Sequence, residues 1–116
     1  MSTHTSIQPT QLPTTIRDFL AAHVRDAASA IAAFSPDAVV VDEGRTFRGT
    51  EEVLDFLRNA GTEFTFTTEL VGAERIDDKQ WVAINHLEGD FPGGVADLRY
   101  RFTIDGDRIT ELVIAP

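Results

Sequence analysis

Two side chains in this sequence have the type and setting for proton transfer. In FSPDAVVVDEGRTFRG, residues 34–49, three valines run directly into Asp42 and Glu43. A carboxylate at the end of an apolar strand becomes a usable base where partial desolvation raises its proton affinity. The same acidic pair also suits the polar tip of a hairpin. In WVAINHLEG, residues 81–89, strand alternation places Val82, Ile84, His86 and Glu88 on one face and Ala83, Asn85 and Leu87 on the other. A histidine among apolar residues titrates near neutral pH and can serve as acid or base. Equally, it can be a core histidine whose nitrogens are met by backbone groups or by Glu88. Tyr100 is the one tyrosine and shares a strand face with Leu98, Phe102 and Ile104. Its hydroxyl can meet a ligand or simply be satisfied within the packing. His4 and His23 have no metal-ligand partner at useful spacing.

These side chains need elements to hold them. Residues 1–11 are polar, contain Pro9 and show no periodicity, which predicts a mobile tail before a single domain over 12–116. Ile16, Phe19, Leu20, His23, Val24 and Ala27 follow the spacing of one buried helical stripe. Asp26 can cap a second, shorter helix through DAASAIAAF, with Ala30, Ile31 and Phe34 inward and Ser35-Pro36-Asp37 ending it. Ala38–Val41 reads as a short strand, and Glu43-Gly44 as a turn into Arg45–Arg48. Thr50 can cap a third helix with Glu51 and Glu52 in its first turn, an apolar face of Val53, Leu54, Phe56 and Leu57, and Gly61 past its end.

The remainder alternates as strands do: 64–70, 80–89, 95–104 and 108 onward, with turns at Asp77-Asp78-Lys79, Phe91-Pro92-Gly93-Gly94 and Asp105-Gly106. Helices followed by a run of antiparallel strands indicate an α+β fold in which helices cover one face of a curved sheet.

Composition removes several function classes. The chain has 116 residues, the size of one domain, and no cysteine, so disulfides, thiolate metal sites and cysteine nucleophiles are excluded. Nineteen acidic against ten basic residues leave a charge of −9, which repels phosphate backbones and anionic membranes. The arginines are scattered. The N-terminus lacks a signal-peptide pattern, and no apolar run reaches the roughly 20 residues needed to cross a bilayer. A soluble cytoplasmic protein is expected. P-loop, G-x-G-x-x-G, H-E-x-x-H and G-x-S-x-G patterns are absent, so no cofactor is implied.

The string FSPDAVVVDEGRTFRGTEEVLDFL resembles a stretch found across the nuclear-transport-factor-2-like superfamily. There an acidic F-x-x-D-A segment leads through a short apolar strand to an acidic residue and then to G-x-x-x-(I/V). LRYRFTIDGDRITELVIAP resembles the hairpin that closes the same fold, and the resemblance spans essentially residues 12–116. SnoaL-like polyketide cyclases and ketosteroid isomerase are members. The resemblance implies a cone, in which a bent antiparallel sheet wraps the N-terminal helices and leaves a pocket, and a homodimer formed through the outer sheet face.

It also implies roles. Asp42, eight residues after Phe34, falls where the isomerase carries its general-base aspartate, and Glu43 then belongs to the turn. Matching the strand 80–89 to the isomerase turns Val82, Ile84, His86 and Glu88 toward the pocket. Asp42 and His86 together would resemble the acid–base pairs of superfamily dehydratases and cyclases. The ligand-binding set is expected to include Phe56, Phe64, Phe66, Trp81, Ile84, Glu88 and Tyr100, with Phe91 a further wall. The sequence departs from the isomerase elsewhere: its oxyanion-hole tyrosine aligns near Asp18, and its protonated acid near Leu98 or Arg99. The expected function is therefore a cofactor-independent isomerase, dehydratase or cyclase acting on a small hydrophobic carbonyl compound. The alternative is a non-catalytic module for ligand binding or dimerisation, since this superfamily hosts both.

Overall fold

The computed structural model describes residues 4–23, 27–42, 44–59 and 66–116. A short strand β1 (Thr5–Ile7) and a 3₁₀ turn (Pro9–Gln11) precede two helices, α1 (Thr14–His23) and α2 (Ala27–Ile31). Strands β2 (Phe34–Asp42) and β3 (Arg45–Arg48) lead into helix α3 (Gly49–Asn59). Four long strands follow: β4 (Phe66–Arg75), β5 (Gln80–Gly89), β6 (Val95–Asp105) and β7 (Arg108–Ala115). They form one curved, unclosed sheet in the order β1-β4-β5-β6-β7-β2-β3.

The helices lie against one face of this sheet, and the core is the layer between them. Ile16 and Phe19 of α1, one helical turn apart, are fully buried. The Phe19 ring meets Phe34 of β2 edge-on at 5.3 Å and Phe102 of β6 at 5.7 Å. Such edge-to-face pairs add to the roughly 1.5–3 kcal/mol that burying each aromatic side chain contributes. From α3, Val53, Phe56 and Leu57 complete the layer, and Phe56 lies 5.0 Å from Phe47 of β3.

The α+β arrangement is as the sequence predicts, with instructive differences. One pair, β2 with β7, is parallel. A parallel pair needs a long crossover, and everything from β3 to β6 supplies it; no local turn signal can announce such a partner. The helix expected to run to Phe34 stops at Ile31, because Phe34 already pairs with Ile109 and the Ala33 carbonyl accepts the Ile109 N–H at 2.8 Å. Pro36 lies in the register break between Phe34 and Val39, where its missing N–H costs no ladder bond.

Thr50 does not cap α3. Its hydroxyl points to the Pro36 carbonyl at 3.5 Å, while Glu52 reaches back to accept the Arg48 N–H at 3.0 Å. Residues 1–11 were expected as a mobile tail, yet Thr5–Ile7 pairs antiparallel with Ala73–Arg75 at the sheet edge. A polar, aperiodic strand escapes sequence detection because an edge position makes few packing demands. The β6–β7 hairpin turns at Gly106, with φ +63°, as the Asp-Gly signal predicts. Val24, Asp26, Glu43, Gly61 and Phe64 lie outside the described residues.

Candidate functional site

Which side chains face the helices is decided by strand register, since partners directly across a ladder share a face. On β6, Tyr100 pairs with Ala83 of β5 on one side and Ile114 of β7 on the other. Ile114 pairs in turn with Asp42 of β2. Asp42, Ile114, Tyr100, Ala83 and Ala73 therefore form one row across the inner face, and Ile114, Tyr100, Ala83 and Ala73 belong to the buried core. The next row along the strands is Leu98, Asn85 and Leu70.

Asp42 and Tyr100 stand two strands apart, roughly 10 Å at the backbone, on one face with Ile114 between them. Burial, and then the charge of Asp42, push the Tyr100 phenol up to about 12. Tyr100 is consequently a neutral hydrogen-bond donor throughout the ordinary pH range. Asp42 is half-buried at the strand end, beside the exposed Arg45 that pairs with it across the β2–β3 hairpin. The inner row thus holds a carboxylate and a phenol over an apolar floor.

His86 is not part of this site. Its strand partners are Asp97 of β6 and Glu69 of β4, on the outer face. Its Nδ1 lies 2.6 Å from an Asp97 carboxylate oxygen, and its Nε2 lies 3.5 Å from Glu88. The carboxylate of Asp97 raises the His86 pKa; burial opposes it, and Glu88 adds a smaller upward contribution. Val82, Ile84 and Glu88 share that outer face, so the expectation that this set lines the pocket is corrected. One residue of slip exchanges the faces of a strand completely. The inner set is Ala83, Asn85 and Leu87. β5 alone could not reveal this, because both of its faces carry apolar residues. The pairing through the Phe91–Gly94 turn could, since it sets His86 opposite Asp97 and Ile84 opposite Arg99.

The other expected residues divide similarly. Trp81 is half-buried on the inner face, in a row with Phe102 and Leu112. Phe56 is buried in the core on α3. Phe66 begins β4 opposite Gly89 and meets Phe91 edge-on at 6.4 Å. Ile84 fills the space left by Gly72, where an added Cβ would come within 3.3 Å of its Cδ1. Glu88 is exposed beside His86. Among the described residues no group of three or more His, Asp or Glu side chains could hold a metal ion, and no helix is long and apolar enough to cross a membrane.

No protein-family model matches the chain, and no curated protein matches it significantly. Solved structures do. A Sinorhizobium meliloti protein provisionally classed as a polyketide cyclase superposes with a TM-score of 0.85 at 29% identity, covering 94% of this chain and 100% of its own. A Catenulispora acidiphila protein with a ketosteroid isomerase-like fold, in complex with trimethylamine, gives 0.77 at 16% identity over 90% and 85% of the two chains. A nuclear-transport-factor-2-like protein of unknown function from Cytophaga hutchinsonii gives 0.70 at 13% identity over 93% of each. The curved mixed sheet with helices on one face is thus the α+β cone. The fold is that of the nuclear-transport-factor-2-like and ketosteroid isomerase-like structures on which the chain superposes.

Proposed function

We propose that the inner face binds a small, mainly apolar carbonyl compound and moves a proton on it without a cofactor. The observation carrying this reading is the row Asp42–Ile114–Tyr100, which sets a carboxylate and a neutral phenol on one face with one apolar residue between them. A carbonyl oxygen accepting the Tyr100 O–H would place its adjacent carbon toward Asp42. Asp42 then takes the α-proton, and the charge developing on the enolate oxygen is held by the phenol. Returning the proton at another carbon gives isomerisation; attack of the enolate carbon on a second carbonyl gives aldol-type cyclisation. The S. meliloti neighbour's provisional assignment agrees with this class of chemistry. His86 has no part in it.

Exchange of α-protons tests this without knowledge of the natural substrate. In D₂O, wild-type protein should accelerate deuterium incorporation into the methyl group of acetophenone. Asp42→Asn should lower the rate at least roughly 10²-fold and Tyr100→Phe roughly 10²–10³-fold, with His86→Gln unchanged. Binding of acetophenone with no accelerated exchange would leave the non-catalytic alternative, a ligand-binding module.

Homodimerisation through the outer sheet face belongs to the same proposal. That face carries Val82, Ile84 and Val113 among internally paired charges, namely His86 with Asp97, Arg99 with Glu74, and Arg101 with Glu111 at 3.8 Å. Charges already neutralised in pairs are cheaper to cover than free ones. Sedimentation as a monomer at micromolar concentration would remove this part.

A further inference from the structure

Among the described residues Asn85 is the buried polar side chain, only 3% exposed. Its four neighbours on the inner face are apolar: Leu70 and Leu98 across the ladders, Ala83 and Leu87 along its own strand. None of them can meet an amide. No side-chain hydrogen bond to Asn85 occurs among the described residues, and none of their polar side-chain atoms is sealed from solvent without a partner. The amide of Asn85 therefore meets solvent only through the little surface it keeps, on the inner side of the sheet. An amide so nearly enclosed by apolar neighbours gives up most of its hydration without a protein partner in return, and an aliphatic residue would suit these neighbours better.

We infer that Asn85 is a specificity-determining residue of the inner site, reading a second, neutral oxygen of the ligand. This rests on the reading of that face as a ligand site. Asn85 and Tyr100 lie on adjacent strands offset by one row, because Ala83 pairs with Tyr100 and Asn85 with Leu98. Diagonal neighbours of this kind are roughly 7 Å apart. The phenol donates, whereas the amide both donates and accepts. Together they match a molecule with a carbonyl at one end and a hydroxyl at the other. A carboxylate or phosphate is disfavoured, since neither the phenol nor the amide carries a compensating charge and Asp42 is nearby. A small hydroxylated ketone is the class of ligand that satisfies all three groups.

The test is a ¹H–¹⁵N NMR titration of the full chain with acetophenone and with 4-hydroxyacetophenone. In wild type both should shift inner-face amides, and the hydroxylated probe should bind about tenfold tighter. In Asn85→Leu that preference should vanish while acetophenone still binds within a factor of about two. The variant should also melt no lower than wild type, because leucine replaces an unpartnered amide at similar volume. Equal binding of the two probes to wild type, a preference that survives Asn85→Leu, or a variant that melts well below wild type would each overturn the assignment. The last would make Asn85 a structural residue. If neither probe perturbs the inner face, the ligand-site reading itself fails, and the role of Asn85 fails with it.

Discussion

His86 and Asp97 face each other across the β5–β6 ladder on the outer surface, with Nδ1 and the carboxylate oxygen 2.6 Å apart. The pair, joined by Glu88 and with Glu69 on the opposite neighbouring strand, surrounds the imidazole with acidic groups.

The first prediction follows from that surrounding. The folded-state pKa of His86 lies above its ordinary 6.5, so the folded protein binds this proton more tightly than the unfolded chain. The resulting stabilisation is complete below about pH 6.5 and fades as pH rises through the higher folded value. Denaturant unfolding of wild type and His86→Gln at a series of pH values should show this slope in wild type alone. An NMR titration of the ring should place its midpoint above 6.5.

Tyr100 supplies a second. As the single tyrosine, it can be titrated by ultraviolet absorbance without interference from another phenol. Tyrosinate should form only as pH approaches about 12 or the fold is lost. Stability should begin to fall above the ordinary value of 10.0, because the unfolded chain releases this proton first. Asp42→Asn should bring the midpoint down, but not back to 10.0, because burial is the larger cause.

Glu74 and Arg99 give a third, with the opposite sign. The guanidinium donates to both carboxylate oxygens, at 2.7 and 3.3 Å, and His4 adds a contact at 2.9 Å. Chiefly through Arg99, and then His4, the Glu74 pKa is held below its ordinary 4.5. Its contribution is present above that value and is lost as pH falls through the lower folded one. Arg99→Ala should cost about 1 kcal/mol near neutral pH and flatten the acid limb of the stability curve.

The fourth concerns the aromatic centre of the core. Phe19 joins α1 to both β2 and β6 through Phe34 and Phe102. Phe19→Ala should destabilise by about 3–5 kcal/mol, measured by urea unfolding, with a loss of order that reaches the Asp42–Tyr100 row only through those neighbours.

Local signals carried much of this fold. Alternation in WVAINHLEG and LRYRFTID, the Asp-Gly turn and the stripe through Ile16 and Phe19 each follow from one segment and its period. That Asp42 and Tyr100 share an inner-face row, with Ile114 between them, follows from the strand pairing. The handedness of β5 did not follow, because Val82 and Ile84 make its outer face look as buried as its inner one. Val82 is indeed 2% exposed, although it stands outside the core cluster that the helices share. Asn85 was visible only as the polar member of the discarded face. The parallel partner of β2 had no local signal at all, since it depends on a strand more than sixty residues away.

That partner sets the timetable of folding. β7 lies in the interior of the sheet, between β6 and β2, although it follows the other six strands of that sheet in the chain. While a ribosome is extending the chain, β2 and β3 have no neighbour to join them to β4–β6. The core row under Asp42 lacks Ile114 until that residue emerges. Such long-range closure delays folding and leaves strand edges open in the meantime. A chain stalled before β7 would therefore be two unjoined pieces of sheet, and the row from Asp42 to Tyr100 would be assembled in the final step.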